Sequence, residues 1–298
     1  TVQLDASGNG SIDVDDIDNG SSDACGIASR SLDITSFTCA DLGEQLVTLS
    51  VTDNNGNSST ATATVTVEDS INPIIDAPAS NQEVECDGDG NTAALIAWLD
   101  ANGGATASDN CGPVTWENDF QTMANSCGGS GAVQVIFTAS DPSGNESTTT
   151  ATFTIIDTTS PDLITPASEE TVECDGSGNT EQLNAWLDSH GGASASDMCS
   201  DVTWSHNYGN GAIMSDGCGA TGSVEVTFTA SDPCNNTVTT SAVFTIEDTT
   251  DPVASTQNFT LQLDANGNGT LTSDDIDQNS SDGCSDLTFA LSLSLIHI

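Results

Sequence analysis

Basic side chains are almost absent from this sequence, which has one Lys or Arg (Arg30) against 45 Asp and Glu and a formal net charge of −44. A surface this acidic repels nucleic acid and anionic membranes, so we expect neither as a direct partner. A compact polyanion also repels itself, and bound cations or a salty medium must offset that cost.

Long apolar runs are lacking too, and none reaches the roughly 18 residues that would predict a transmembrane helix. No signal peptide is present. Because Thr1 opens inside a strand-like pattern, we expect the natural N-terminus to lie upstream, so the missing signal does not argue against secretion. High acidity alone would suggest disorder, but 36% of the residues are hydrophobic and they alternate with Thr and Ser, which predicts a folded chain.

Catalytic signatures are equally scarce. The sequence contains no G-x-S-x-G, P-loop or metalloprotease motif. Carboxylate pairs occur throughout, so none stands out as an acid–base dyad. There is no C-x-x-C, and His190, His206 and His297 lack the spacing of metal ligands. The pattern therefore predicts no enzyme, and disulfides rather than zinc sites.

What the sequence does contain is repeats. Three segments each combine an alternating strand, a D-x-x-x-N turn and a second alternating strand, which predicts a β-hairpin. They are residues 46–69, 133–157 and 224–248. An acidic, proline-marked junction follows each hairpin, at Pro73, Pro161 and Pro252.

The chain contains two repeat types, A and B, in the order A-B-B-A. Type A covers residues 1–73, cut at its N-terminus, and restarts over 253–298; type B covers 74–161 and 162–252. This length and turn density predict an all-β chain of tandem immunoglobulin-like β-sandwiches. One short helix is predicted in each type B repeat, over 93–99 and 181–187, after an Asn-Thr cap signal.

The last segment, 253–298, lacks the closing hairpin and ends in LSLSLIHI, with Ile298 where the type A pattern has Cys39. We expect this aberrant tail to be poorly ordered or loosely paired.

The ten cysteines indicate an oxidising compartment. Cysteines at equivalent repeat positions predict one local disulfide per repeat, and these are Cys25–Cys39, Cys111–Cys127 and Cys199–Cys218. The second B repeat adds two more cysteines, which predict a fourth bridge, Cys174–Cys234. In the first B repeat the counterpart of Cys234 is Ser143. Cys86 is therefore expected to be a free thiol, and Cys284 to lack a partner.

Twelve-residue loops in the type A repeats match a calcium-loop pattern, with oxygen ligands at alternate positions and a central glycine. The candidate ligands are Asp5, Ser7, Asn9, Ser11 and Asp16, and again Asp264, Asn266, Asn268, Thr270 and Asp275. The alternative is a Gly/Asn-rich hairpin turn, because the last position holds Asp rather than a bidentate Glu. Half of the pattern recurs in the type B loops (Asp87, Asp89, Asn91; Asp175, Ser177, Asn179).

A second candidate cation site lies at the junctions. In a sandwich, the hairpin turn of one repeat faces the linker that precedes it, which brings Glu68 and Asp69 towards Asp141, and Asp157 towards Asp232. The alternative, which we favour from sequence alone, is that each turn Asp caps its own turn.

Each type B repeat carries two tryptophans, which are Trp98 and Trp116, then Trp186 and Trp204. Exposed Trp side chains would suit a sugar-binding face, but packing in the sandwich core is the favoured interpretation.

The segments ASDNCG, FTASDPSGN and TFTIIDTTSP, with their type A counterparts, resemble the HYR (hyalin repeat) family, and its tandem relatives in large secreted adhesins of Bacteroidetes. The resemblance implies immunoglobulin-like folds, surface display, adhesion and no catalysis, and it also favours Cys174–Cys234.

We therefore expect an extracellular, secreted or surface-attached structural and adhesive segment of a large bacterial protein, stabilised by calcium. Its partners would be neighbouring repeats and a surface glycan or protein, with no membrane insertion. The alternative is a carbohydrate-binding array of a secreted polysaccharide-degrading enzyme.

Overall fold

The computed structural model describes residues 1–211, 213–215, 217 and 219–292. It divides into two compact units, Thr1–Asp157 and Thr158–Ile298, and each is described by itself. The fold is all-β, with immunoglobulin-like sandwiches in tandem and one short helix in each of the two central repeats, as predicted.

The first repeat is built around one long hairpin. Its main sheet has the order β1-β6-β5-β3, with β1 parallel to β6, and β2 pairs with β4 across the core. Phe37, Val47, Val65 and Val67 fill the space between these layers. The elements are β1 (Val2–Gln3), β2 (Asn9–Ser11), α1 (Val14–Ile17), β3 (Ile27–Leu32), β4 (Ser36–Thr38), a 3-10 turn (Cys39–Asp41), β5 (Gly43–Asp53) and β6 (Ser58–Glu68).

The second repeat has the same plan with a helix inserted. Its main sheet runs β10-β12-β13-β8, β11 adds to β12, and β7 pairs with β9. The elements are β7 (Ile74–Ala77), β8 (Gln82–Glu85), α2 (Thr92–Asp100), a 3-10 turn (Asn102–Gly104), β9 (Thr106–Ser108), β10 (Thr115–Asn118), β11 (Ala124–Asn125), β12 (Gly131–Ser140) and β13 (Glu146–Ile156).

The second unit opens with a close copy of that repeat. Its main sheet runs β15-β19-β18-β17, and β14 pairs with β16. The elements are β14 (Asp162–Thr165), β15 (Glu170–Glu173), α3 (Thr180–Asp188), a 3-10 turn (His190–Gly192), β16 (Ser194–Ser196), β17 (Thr203–His206), β18 (Gly222–Ser231) and β19 (Thr237–Glu247).

The helix tryptophans belong to the sandwich cores, as predicted. Trp98 is buried, donates its Nε1–H to the Ser80 carbonyl (3.1 Å) and meets Phe137 edge-on with ring centroids 5.2 Å apart. Trp186 repeats this arrangement on Ser168 and Phe228. Because indole combines a large apolar area with one donor, it anchors each helix on its sheet.

The other two tryptophans, Trp116 and Trp204, are half-buried. Trp204 packs against the core of its repeat, and the imidazole of His190 stacks on its ring at 4.8 Å. One ring face of Trp204 is therefore covered.

Residues 253–292 make little regular structure. They contain α4 (Ser273–Ile276) and the isolated bridges Val253–Ser281 and Thr256–Asp277. Residues 293–298, which include His297 and most of the aberrant tail, lie outside the described part of the chain. Among the described residues, no helix is long and apolar enough to cross a membrane.

Candidate functional site at a repeat junction

Disulfides join different repeats in this structure. Cys39 of the first repeat bonds to Cys111 of the second, with their Cα atoms 5.1 Å apart. Cys174 bonds to Cys284 in the following type A segment, with a Cα–Cα distance of 5.9 Å. The predicted pairs Cys25–Cys39, Cys111–Cys127 and Cys174–Cys234 are therefore wrong.

The position of each cysteine along the hairpin explains why a local bridge fails. Cys25 lies at the β5–β6 turn, where its carbonyl accepts a 2.7 Å hydrogen bond from Asn54 Nδ2. Cys39 lies just before Gly43, at the other end of β5. An eleven-residue strand spans on the order of 35 Å, far beyond the roughly 7 Å Cα separation that a disulfide allows.

The predicted free thiols are also wrong. Cys86 and Cys284 are disulfide-bonded, and Cys86 is buried. Cys25 is instead a free cysteine, and it is exposed. Cys127, Cys199 and Cys234 are in disulfides as well. The predicted pair Cys199–Cys218 stays a prediction, because Cys218 lies outside the described residues.

The predicted calcium loop of the first repeat forms a tight turn. The Asp5 Oδ1 atom accepts hydrogen bonds from the backbone N–H groups of Ser7 (2.8 Å) and Asn9 (3.0 Å). Asp16 turns to its own helix, where its Oδ2 accepts from the N–H of Asp13 at 2.8 Å. Ser11 lies in β2, paired with Ser36 of β4. These bonds match the alternative interpretation, in which the acidic side chains stabilise a hairpin turn and cap a helix. Calcium binding at this loop stays a prediction.

This turn also supports the inter-repeat disulfide. Gly8 has a positive φ of 72°, and a Cβ there would lie 2.6 Å from Cys39 Sγ. Glycine is therefore needed for both backbone conformation and space.

The second type A loop repeats the turn. Asp264 Oδ1 accepts from the N–H groups of Asn268 and Asn266, and these bonds lower the pKa of Asp264. Asp275 accepts from Thr272 at the start of α4, while Thr270 lies outside any strand.

The type B loops behave in the same way. The N–H groups of Asn91 and Asp89 lower the pKa of Asp87 by stabilising its charged form. Those of Asn179 and Ser177 do so for Asp175.

A carboxylate cluster lies beside the Cys39–Cys111 bond, at the junction of the first two repeats. Carboxylate oxygens of Asp69, Asp109 and Asp141 lie within 4.8 Å of one another, and Asp69 and Asp141 are buried. Sequence reasoning placed Asp69 near Asp141 but missed Asp109. The preference for turn capping holds for Asp141, whose Oδ1 accepts from the N–H of Asn145 at 2.9 Å. Asp141 therefore caps its own turn and also belongs to the carboxylate cluster.

The predicted approach of Asp157 to Asp232 spans the two units and stays a prediction.

No protein-family model and no curated protein sequence matches this chain. Similar solved structures include mouse clustered PcdhgC3 EC1-3, with 13% identity, a TM-score of 0.27, and coverage of 72% of this chain and 83% of that chain. Drosophila N-cadherin EC1-4 has 10% identity and a TM-score of 0.27, with coverage of 70% and 58%. At these TM-scores and identities the likeness carries no argument about fold, ligand or activity.

Together, the sheets and bonds define the chain as a tandem array of immunoglobulin-like sandwiches with disulfides between repeats.

Proposed function

We propose that this chain is a non-catalytic, extracellular structural and adhesive segment of a larger bacterial surface protein, stabilised by calcium and related to HYR repeats. The observation that carries the proposal is the Cys39–Cys111 disulfide, which ties one sandwich to the next. A covalent bond across a junction serves an array whose repeats must stay connected and aligned.

The proposed location follows from the same chemistry. Eight described cysteines are in disulfides, and such bonds persist in oxidising environments outside the cytosol. The net charge of −44 keeps a long array soluble and discourages self-association. Neighbouring repeats are the partners that the structure displays, and a surface glycan or protein is the proposed adhesive ligand.

The connecting role is tested with the double variant Cys39→Ala/Cys111→Ala, and Cys25→Ala is the matched control. In the chain-entropy model, a bond that closes 72 residues contributes about 4 kcal/mol. We expect the double variant to lose stability of this order in urea and to show a larger maximum dimension in small-angle scattering. The control should match the parent protein. A double variant with unchanged scattering and stability would contradict the proposal.

The carbohydrate-binding alternative depends on the half-buried tryptophans. If it holds, soluble polysaccharides will retard the protein in native gels, and Trp116→Ala or Trp204→Ala will abolish the shift. Because His190 already covers one face of Trp204, we expect no such loss.

A further inference from the structure

We propose that Asp69, Asp109, Asn110 and Asp141 form a calcium site that locks the first two repeats together. This inference deepens the calcium part of the proposed function, and it rests on that part alone rather than on adhesion. The site differs from the twelve-residue loops that the sequence pattern suggests.

Three separate turns contribute to the site. Asp69 follows β6 and ends the first repeat, while Asp109 and Asn110 follow β9 of the second repeat. Asp141 begins the turn between β12 and β13. A ligand bound at this point would therefore contact both repeats.

The turns at Asp69 and Asp109 each leave one carboxylate oxygen available, whereas both oxygens of Asp141 accept hydrogen bonds from Asn145. Asp69 Oδ1 accepts from the N–H of Ile71 (3.1 Å), and Asp109 Oδ1 accepts from the N–H of Cys111 (2.8 Å). The other oxygens, Asp69 Oδ2 and Asp109 Oδ2, each expose less than 1 Å² and have no hydrogen-bond partner among the described residues. The local turns thus fix the orientation of both carboxylates.

Asn110 lies beside the carboxylates and carries a further buried oxygen. Its Nδ2 group donates to the Asp5 carbonyl at 3.2 Å and lies 3.5 Å from Asp69 Oδ1. Its Oδ1 atom is buried and unpartnered within the described chain. Asn145 Nδ2 also donates across the junction, to the Asp69 carbonyl at 3.2 Å, and holds Asp141 Oδ2 at 2.7 Å.

The unpartnered Asp69 oxygen is the observation that separates this cluster from an ordinary acidic surface. Asp69 is only 7% exposed, and a buried polar atom without a partner is costly. Three carboxylates so close together also repel one another strongly. A cation removes both costs at once.

The chain cannot supply that cation from its own basic side chains. Its one Lys or Arg is Arg30, which pairs with Asp15 at 2.9 Å and Asp18 at 2.6 Å, away from this cluster. Arg30 therefore does not compensate this cluster, and a metal ion from solution would.

The ligand atoms favour calcium. All of them are oxygens, and three belong to carboxylates, which suits a hard divalent cation. Calcium accepts six to eight oxygens in flexible geometry, whereas magnesium requires a smaller and nearly ideal octahedron. A site formed by turns from two repeats is better suited to calcium, because calcium tolerates a wider range of coordination geometries. Water and backbone carbonyls would complete the coordination.

The site is tested with Asp109→Asn in the whole chain, and Asp23→Asn is the matched control. Asp23 makes the same turn, accepting from the N–H of Cys25 at 2.7 Å, but it is exposed. Asn can keep the turn bond in both variants, so only the charge at the cluster differs.

Calcium binding is measured by titration calorimetry, and melting is followed with calcium or chelator at fixed ionic strength. We expect calcium to raise the unfolding temperature of the parent protein and of Asp23→Asn. Asp109→Asn should bind calcium at this site about tenfold or more weakly and lose most of that rise. In chelator, Asp109→Asn should unfold at a temperature no lower than that of the parent protein, because the variant has one fewer negative charge in the cluster. A purely structural Asp109 would instead lower melting in both conditions.

Three results would overturn the inference, and they can be told apart. No calcium effect on the parent protein would remove the calcium part of the proposed function as well. If calcium stabilises Asp109→Asn as much as the parent protein but no longer stabilises Asp5→Asn, calcium binds in the twelve-residue loop. The proposed function would then remain intact. An equal response to magnesium would overturn the assignment to calcium. The connecting role of Cys39–Cys111 is measured separately.

Discussion

Cys25 occupies, in the first repeat, the place that Cys111 holds in the second. Each follows an Asp that accepts from the cysteine N–H, at 2.7 Å for Asp23 and 2.8 Å for Asp109. Cys111 bonds to the preceding repeat, whereas Cys25 is exposed and free. The turn itself is therefore compatible with either state.

Thiol labelling of the native, unreduced protein checks this assignment. We expect an alkylating reagent to modify Cys25, because it is exposed and carries no disulfide. Cys86, Cys111 and Cys174 should remain unmodified, since all three are bonded. Peptide mass spectrometry locates the label, and Cys25→Ser is the control. A label on Cys86 would show that its bond is absent.

The cysteine pairing could not be predicted from the sequence for a physical reason. Internal alignment shows that Cys25 and Cys111 are equivalent, and that Cys39 and Cys127 are equivalent. It does not show that these two positions lie at opposite ends of a long hairpin. Asp109 was missed for a related reason, because its place before Cys111 is that of an ordinary turn residue. Only the docking of the second repeat brings it to Asp69.

At the scale of elements, the helices of the central repeats were predictable. The expected segments 93–99 and 181–187 are helical, and they extend by one residue at each end, to Thr92–Asp100 and Thr180–Asp188. The role of the preceding asparagine differs from the expected cap. Asn91 has a left-handed φ of 52°, and its Nδ2 donates to the Glu85 carbonyl at 2.8 Å. It joins the end of β8 to the helix.

Two substitutions separate the contributions of Asn91. Asn91→Gly keeps the left-handed backbone but removes the buried hydrogen bond, at an expected cost of about 1–3 kcal/mol. Asn91→Ala removes the bond and adds about 1–2 kcal/mol for a left-handed backbone. Urea unfolding monitored by Trp fluorescence measures both. Equal stability of the two variants would show that backbone conformation contributes little at this position.

The hairpins were also predictable, because the residues that form each turn lie close together in the sequence. Thr and Ser alternate with Val, Ile and Phe, and Asp53 begins a turn that Asn57 closes, with both Asp53 oxygens accepting from Asn57 at 2.8 Å. The same pair recurs as Asp141 with Asn145. Interactions within five residues are readable from the sequence, whereas the disulfides between repeats are not.

At the scale of the whole molecule, the chain combines high charge with small cores. The core of the first repeat is a few Val, Leu, Ile and Phe side chains, and that of the third adds one buried Trp, while the chain carries 45 acidic residues. Disulfides between repeats compensate for modest cores, since they restrict the unfolded chain without adding buried area. The proposed calcium would add a second link at the same junction.

The Cys39–Cys111 bond also determines how the first unit responds when its ends are pulled apart. Tension passes from Cys39 directly to Cys111, so the chain between them bears no load while the bond is intact. The sequence separation is 72 residues, which corresponds to roughly 240–260 Å of contour length at about 3.3–3.6 Å per residue. In single-molecule pulling, we expect full reduction to release this length, and Cys39→Ala/Cys111→Ala to show only part of the gain without a reductant, because Cys86, which lies between the two cysteines, keeps its own disulfide. The junction thus withholds part of the chain's length from extension for as long as the Cys39–Cys111 bond is intact.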